Sequence, residues 1–406
     1  MKILFIGLVW PEPTSSAAGW RILHLVKCFS KIGEVNFASA ALKSIHSADL
    51  SSLGVKEKSI FLNDSSFDDY VKNLLPDIVV FDRFIVEEQY GWRIAENCPD
   101  ALRILDTEDL HFVRLARQEA YKKKVEVDYY SATAKRELAS ILRSDLSLII
   151  SNTEMHILQE DFNIPVEKLC YIPFQEEALN EEQIEILPKF PNRKDFMFIG
   201  NFIHEPNFRT VEVLKKEIWP ILRKKCPEAE LHIYGAYASE KVMQLHNPKE
   251  RFIIKGRAED ARSTISQYRL MIAPIPFGAG AKGKFVDAMA SGTPSITNTL
   301  GAESMTESDW NGYIVQDQQE FIKKSVLLYT DEHLWKERQR AGFEIFNSTL
   351  ADSSYSKDML EKVKYYKENL QEIRKKHFIA EILLQQQLNA TKYMSLWIEE
   401  KNKKAQ

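Results

Sequence analysis

The sequence predicts an α/β protein: two doubly wound parallel-sheet domains facing a cleft, followed by a helical C-terminal extension. Three observations carry this. Short, near-continuous apolar runs alternate with amphipathic stretches, as sheets covered on both faces require. The pattern stops at an acidic, proline-containing stretch, QEEALNEEQIEILPKFPNR, and then restarts. The chain has 406 residues, and at roughly 100–200 residues per domain this suits two domains.

In the first half the apolar runs predict strands at 2–9, 35–40, 59–62, 78–82, 103–106, 146–151 and 169–172. Helical spacing over 19–32 puts Ile22, Leu23, Val26 and Phe29 on one face, and 133–143 and 154–162 follow the same rule. In the second half strands are predicted at 196–200, 230–234, 252–255, 270–274, 295–297 and 313–315. Helices are predicted between them at 207–225, 239–246, 261–267, 282–290 and 318–328. The domains are therefore drawn at 1–175 and 194–350, with a linker at 176–193 and a helical extension at 351–406. Part of the extension, 331–366 in the widest reading, is expected to cross back to the first domain.

Composition narrows the function classes. With 44% hydrophobic and 28% charged residues the chain is neither disordered nor low-complexity. A net charge of −4 gives no global basic field for nucleic acid, so no nucleic-acid partner is expected. The charge is uneven: residues 356–406 hold 11 Lys/Arg against 7 Asp/Glu, a local +4 that leaves −8 for the rest. Cys28, Cys98, Cys170 and Cys226 are too far apart for a CxxC motif, which excludes a zinc ribbon and a thioredoxin-like site. Sparse thiols suit the reducing cytosol. The opening MKILFIG reads as a buried strand rather than a signal peptide, and no run approaches the roughly 18 apolar residues of a membrane span.

Ligands of open α/β sheets bind at the carboxyl ends of strands, so the loops after strands hold the candidates. The strongest is IPFGAGAKGKFVDAMASGTPS. Gly278, Ala279, Gly280 and Gly283 let the backbone approach a ligand, the following helix offers free amides, and Lys282 and Lys284 add charge. That combination suits a diphosphate. Asp287, about one turn further, is placed to accept hydrogen bonds from ribose hydroxyls. Gly200, Asn201, His204 and Asn207 follow the first strand of the second half and read equally as turn and cap residues. Ser15, Ser16 and Gly19 follow the first strand of the chain without a GxGxxG or P-loop pattern, and are candidates for an anion or a helix cap. Asp106, Glu108, Asp109, His111 and Arg114 crowd another strand end, where His111 is the proton-transfer candidate. Asp82, Arg83, Glu87 and Glu88 crowd a neighbouring one. No DxD pair and no histidine cluster marks a metal site, so neither metal nor other cofactor is expected.

The segments IGNFIHEPN, PEAELHIYG, APIPFGAGAKGKFVDAMASGTPSITN, LGAES and NGYIV resemble the donor half of family 4 glycosyltransferases, which have the GT-B fold. SSAAGWR extends the likeness loosely into the first half. The resemblance implies sugar transfer from a nucleotide-sugar donor to a glycan or lipid-linked acceptor, with retained configuration and without metal. It implies that the Gly280–Lys284 helix start holds the diphosphate and Asp287 the ribose. Three positions depart from the family: Ala279 stands where many members have Glu, and Asn201 and Asn207 where many have Arg and Lys. The family's first-half His aligns with Glu108 in DTED, leaving His111 three residues on. Lys282 and Lys284 are then the charged groups left to stabilise the departing diphosphate. Glu303, after the strand at 295–297, is a candidate for sugar or phosphate contact. A sugar-nucleotide epimerase and a catalytically silent sugar-nucleotide-binding scaffold are the alternatives.

Beyond 366, Ile373, Phe378, Ile382, Leu383, Leu388, Met394, Leu396 and Trp397 are helically spaced among charges. This predicts packing or self-association. A membrane-surface helix, which would make a cytoplasmic protein peripheral at the inner face of the membrane, is the second reading.

Overall fold

The computed structural model describes residues 1–305 and 309–405, with side chains outside the description at 386–388 and 405. The first unit is a seven-stranded, wholly parallel sheet of β1 (Lys2–Gly7), β2 (Glu34–Ser39), β3 (Lys56–Ser59), β4 (Ile78–Asp82), β5 (Leu102–Asp106), β6 (Leu146–Ile149) and β7 (Leu169–Tyr171), in the order β3-β2-β1-β4-β5-β6-β7. The second is a six-stranded parallel sheet of β8 (Lys194–Ile199), β9 (Leu231–Tyr234), β10 (Phe252–Gly256), β11 (Tyr268–Ala273), β12 (Ser295–Thr297) and β13 (Gly312–Ile314), in the order β10-β9-β8-β11-β12-β13. Both orders reverse beside their first strand, the crevice where doubly wound sheets take ligands.

Alternation along the strands explains the two-sided burial. In β1, Ile3 and Phe5 enter one core while Leu4 and Ile6 enter the other, and all four are essentially inaccessible. The second sheet is wrapped by a single large core that includes Phe196, Phe198, Ile272, Phe285 and Trp219.

Two expectations are corrected. The third strand is Lys56–Ser59, not 59–62, because the segment KEKS is an edge strand with mostly exposed side chains and no apolar signal. The helix expected at 207–225 is broken: Glu205–Val213 passes through a wide π-turn, Leu214–Ile218, into Trp219–Lys225. Pro220 lies in the first turn of that last segment and cannot donate the bond a continuous helix needs there. In the stretch read as linker, a short helix Glu181–Glu185 carries a full capping box between Asn180 and Gln183.

Of the wider reading 331–366, the part before Leu350 does not cross back. Helix Glu332–Ile345 stays on the second unit, against helix Gly283–Ala290. After Leu350, helices Ser354–Glu368 and Leu370–Lys376 put Met359, Val363, Tyr366, Leu370 and Ile373 into the same core as Ile3 and Phe5. A last helix, Phe378–Ala405, lies over helices Phe84–Asn97 and Ala132–Arg143. No helix among the described residues is long and apolar enough to cross a membrane. All four cysteines are buried and unpaired.

Candidate functional site

The loops at the carboxyl ends of the two sheets meet. The loop after β11 leads into helix Gly283–Ala290, whose first turn has no acidic residue and no side-chain cap. Its start abuts helix Ala17–Ser30 of the first unit: a Cβ on Gly283 would lie 2.7 Å from Ala17 Cβ. Two positive helix ends therefore face one seam, an arrangement that favours an anion with more than one charge. Gly280 has φ +64, and a Cβ there would meet Asp109 Cβ at 3.0 Å. The loop apex thus rests directly on the first unit.

The two lysines have different partners. Lys282 Nζ donates to Gly280 O at 2.7 Å and lies 3.5 Å from Glu303, which in turn takes a bidentate bond from Arg117 at 2.7 and 2.8 Å. Arg117 also donates to Gly278 O. Glu303 ends helix Thr299–Ala302 as its C-cap, with its carboxylate engaged across the seam. Lys284 Nζ donates to Asn207 Oδ1 at 2.6 Å and sits over the Phe198 ring. Burial, with Lys282 adding to it, lowers the Lys284 ammonium to about 7. Burial lowers Lys282 too, against the opposing pull of Glu303.

Around this loop, the Asn207 side chain fills the space that any Cβ on Gly200 would take, 2.6 Å away. Asn207 also donates to Asn201 O, and Asn201 reaches Ser15 O at 3.3 Å. Asn201 Oδ1 accepts from Ile203 N, so the turn reading of this residue is realised as well. His204 occupies the cap position of helix Glu205–Val213 without a side-chain cap bond. Asp287 Oδ1 accepts from Arg262 Nε at 2.9 Å, and Arg262 also pairs with Glu176. Ala279 packs against the core of the first unit.

On the first unit, Ser16 caps helix Ala17–Ser30 by accepting from Gly19 N. Gly19 must lack a side chain, since its Cβ would stand 2.4 Å from Glu12 O. Ser15 Oγ donates to Glu12 and accepts from Arg257, while Tyr237 donates to Glu12, so this loop grips the second unit. Asp106 is fully buried in an ion pair with Arg21 at 2.8 Å. Beside it Glu108 has φ +61 and a buried, unpaired oxygen. Burial, then the neighbouring Asp106, pushes its carboxyl up to about 8.

Asp109 is tied to Arg114 at 2.6 Å and lies 3.6 Å from His111 Nε2. Burial works to raise Asp109, but Arg114, His111 and His204 together hold it well below the usual carboxylate range. His111 packs edge-on against Phe84, and burial, helped by Arg114, pulls its imidazole down to about 4 despite Asp109. The ring is therefore neutral at pH 7 and a weak base.

Several of these residues left no sequence signal. Glu154 is buried and accepts from Leu110 N and Gly280 N, both at 2.9 Å. Ser151-x-x-Glu154 looks like a capping box. The serine half forms, but the Glu154 side chain turns instead to those two amides. Ser304 reaches Ser151 Oγ at 2.7 Å. Arg117, Arg257 and Arg262 act across more than 80 residues of sequence and carry no local pattern. Asp195, Glu230 and His232 lie within metal-ligand reach of one another among the described residues, but at the amino ends of β8 and β9, the edge opposite the cleft.

Residues 193–331 match the family model "Glycosyl transferases group 1". Among solved structures, sucrose-phosphate synthase from Thermosynechococcus elongatus is 14% identical with a TM-score of 0.65, covering 90% of this chain and 99% of that one. Anabaena HepE, solved with UDP and glucose, is 13% identical with a TM-score of 0.64, covering 90% and 99%. A TarM mutant of S. aureus, solved with fondaparinux, alpha-GlcNAc-glycerol and UDP, is 15% identical with a TM-score of 0.55, covering 74% of this chain and 58% of that one. The chain thus spans little more than half of TarM and nearly all of the other two. The shared architecture is the GT-B fold. No curated protein sequence matches.

Proposed function

We propose that this protein is a retaining glycosyltransferase that moves a sugar from a nucleoside-diphosphate donor to a glycan or lipid-linked acceptor, without a metal ion. The single observation that carries the reading is the seam where two helix N-termini meet a glycine loop and Lys284. Cleaving the bond between the sugar's anomeric carbon and the phosphate leaves the pair of electrons on the diphosphate. The Gly280 and Lys282 amides are taken by Glu154 and Met305 Sδ, so we assign stabilisation of that growing charge to the uncapped start of helix Gly283–Ala290 and to Lys284, in a closed seam that excludes competing water. Lys282, bound to Gly280 O and Glu303, holds the loop's shape and adds field. Asp287 is placed for the ribose, with Arg262 as the partner the ribose hydroxyls would share or displace.

With retention, the departing phosphate oxygen takes the proton of the acceptor hydroxyl as the new glycosidic bond forms on the same face. No enzyme carboxylate then needs to attack the sugar. His111, neutral and 3.6 Å from the Asp109 that backs Gly280, is assigned to orient the acceptor hydroxyl rather than to take its proton.

The reading is tested by ligand-detected NMR of UDP-, GDP-, ADP- and CMP-sugars against the purified protein, followed by product analysis with glycan and lipid-linked acceptors. Saturable binding of one donor, consumed only when an acceptor is present and giving a product of retained configuration, is expected. Donor interconversion without acceptor, or binding without any turnover, overturns it.

A further inference from the structure

Helix Phe378–Ala405 is amphipathic the wrong way round. Beside the buried Ala380 and half-buried Leu384, its inward side is rich in polar contacts: Ser395 accepts from Arg93, Glu399 lies 3.7 Å from Arg93, Lys392 pairs with Glu96, and Glu381 lies 3.7 Å from Arg103. Its outward residues are apolar: Phe378 and Ile379 are 67% and 68% exposed, Tyr393 66%, and Trp397 60%, with Ile382, Met394 and Leu396 also exposed. At ~100° per residue, Phe378, Ile379, Ile382, Tyr393, Leu396 and Trp397 share an arc of about 100°. Leu388, counted above among the helically spaced apolar residues, has its side chain outside the described residues. A groove of about 400 Å³ beside Phe378 and Ile382, floored by Trp92, extends this surface.

We infer that this face docks on an anionic lipid bilayer. Charge complementarity favours lipid over a second copy of the chain. Lys375 and Lys376 precede the helix, and Lys401, Lys403 and Lys404 close it, all exposed; with Lys376 paired to Glu372 and Lys403 to Glu399 and Glu400, the headgroup-facing cations are Lys375, Lys401 and Lys404. Lys401 sits 5.4 Å from the Trp397 ring centre, which joins an interfacial aromatic to a headgroup-binding cation. Glu400 is the one acid on the outward arc among the described residues, and Lys403 neutralises it. A second copy would bring these lysine clusters onto a like-charged surface, and polar Gln385 and Asn389 interrupt the stripe that a sustained coiled coil needs. Interfacial helices combine this aromatic and aliphatic face with flanking lysines. The inference does not rest on sugar transfer, because no residue of the cleft takes part.

The test is flotation of the full-length protein with phosphatidylcholine vesicles, with and without phosphatidylglycerol. It is run on wild type, on I379E/W397E and on K401E/K404E, with thermal melts to confirm folding. Expected are binding to the anionic vesicles that weakens with salt, a loss of more than about tenfold for I379E/W397E, and about fivefold or more per lysine for K401E/K404E. Absence of wild-type binding overturns the inference, as does equal binding by the variants. A dimer in light scattering that I379E/W397E converts to monomer, without vesicle binding, assigns the face to a second copy instead.

Discussion

The Glu154 carboxylate of the first unit accepts a hydrogen bond from the Gly280 amide of the second, 2.9 Å away, and another from Leu110 N with the same oxygen. One buried side chain thus fixes the apex of the glycine loop against the first unit. Its second oxygen is buried without a partner.

That arrangement sets a pH dependence. Burial, then repulsion from Asp109, pushes Glu154 up to about 8, with Lys282 opposing and Glu303 adding to the rise. Its folded-state value lies above that of the unfolded chain, about 4.3. Between the two the folded state binds the extra proton, so this group's contribution to stability falls as pH rises from about 4.3 towards 8. Glu154→Gln keeps an acceptor without the charge. Melting curves across pH 5–9 should show the variant gaining on wild type as pH rises, with the gap levelling above about 8. A constant gap refutes the assignment.

Donor binding should take up a proton. Lys284 stands near 7 and has Asn207, not a carboxylate, as its partner. A diphosphate placed beside it favours the ammonium form, so calorimetry of UDP in buffers of different ionisation heat should reveal net uptake at pH 7.5. Lys284→Ala should abolish that uptake and lower kcat/KM by roughly 10²–10³.

Gly283 and Ala17 touch where a second methyl does not fit. Gly283→Ala should weaken donor binding about tenfold by forcing the helix starts apart, the scale of one lost methyl-sized fit. Gly283→Ala combined with Ala17→Gly should recover most of it. Titrations of the four proteins form a double-mutant cycle, and additive losses would show that the contact does not set the spacing.

The Arg21–Asp106 pair is buried on both sides. Asp106→Ala leaves the buried guanidinium donating to Ile172 O without its carboxylate partner and should cost about 3–5 kcal/mol. Urea unfolding measures it, and a loss below about 1 kcal/mol would show that water or a neighbour takes over.

How much of this was legible depended on whether a signal was local. β4 fell where its apolar run predicted, because buried parallel strands are largely apolar on both faces. β3 did not, since an edge strand needs only backbone partners on one side and KEKS carries no pattern. The glycine loop was readable from spacing alone. What grips it was not: Arg117 meets Glu303 across 186 residues, and Glu154 meets Gly280 across 126. Glu303 itself was visible as a candidate, but its engaged carboxylate depends on an arginine that only the fold brings near.

The chain passes between the two units twice, once before β8 and once after Leu350, and the two passages are fastened side by side. Glu176 N donates to Leu350 O at 2.8 Å, and Leu179 N and O bond the Asn347 side chain at 2.8 and 3.0 Å. A single tether would let one half swivel in any direction. A doubled, laced tether removes much of that freedom. The lacing thus helps hold the loops bearing Gly283 and Ala17 in one register across the seam.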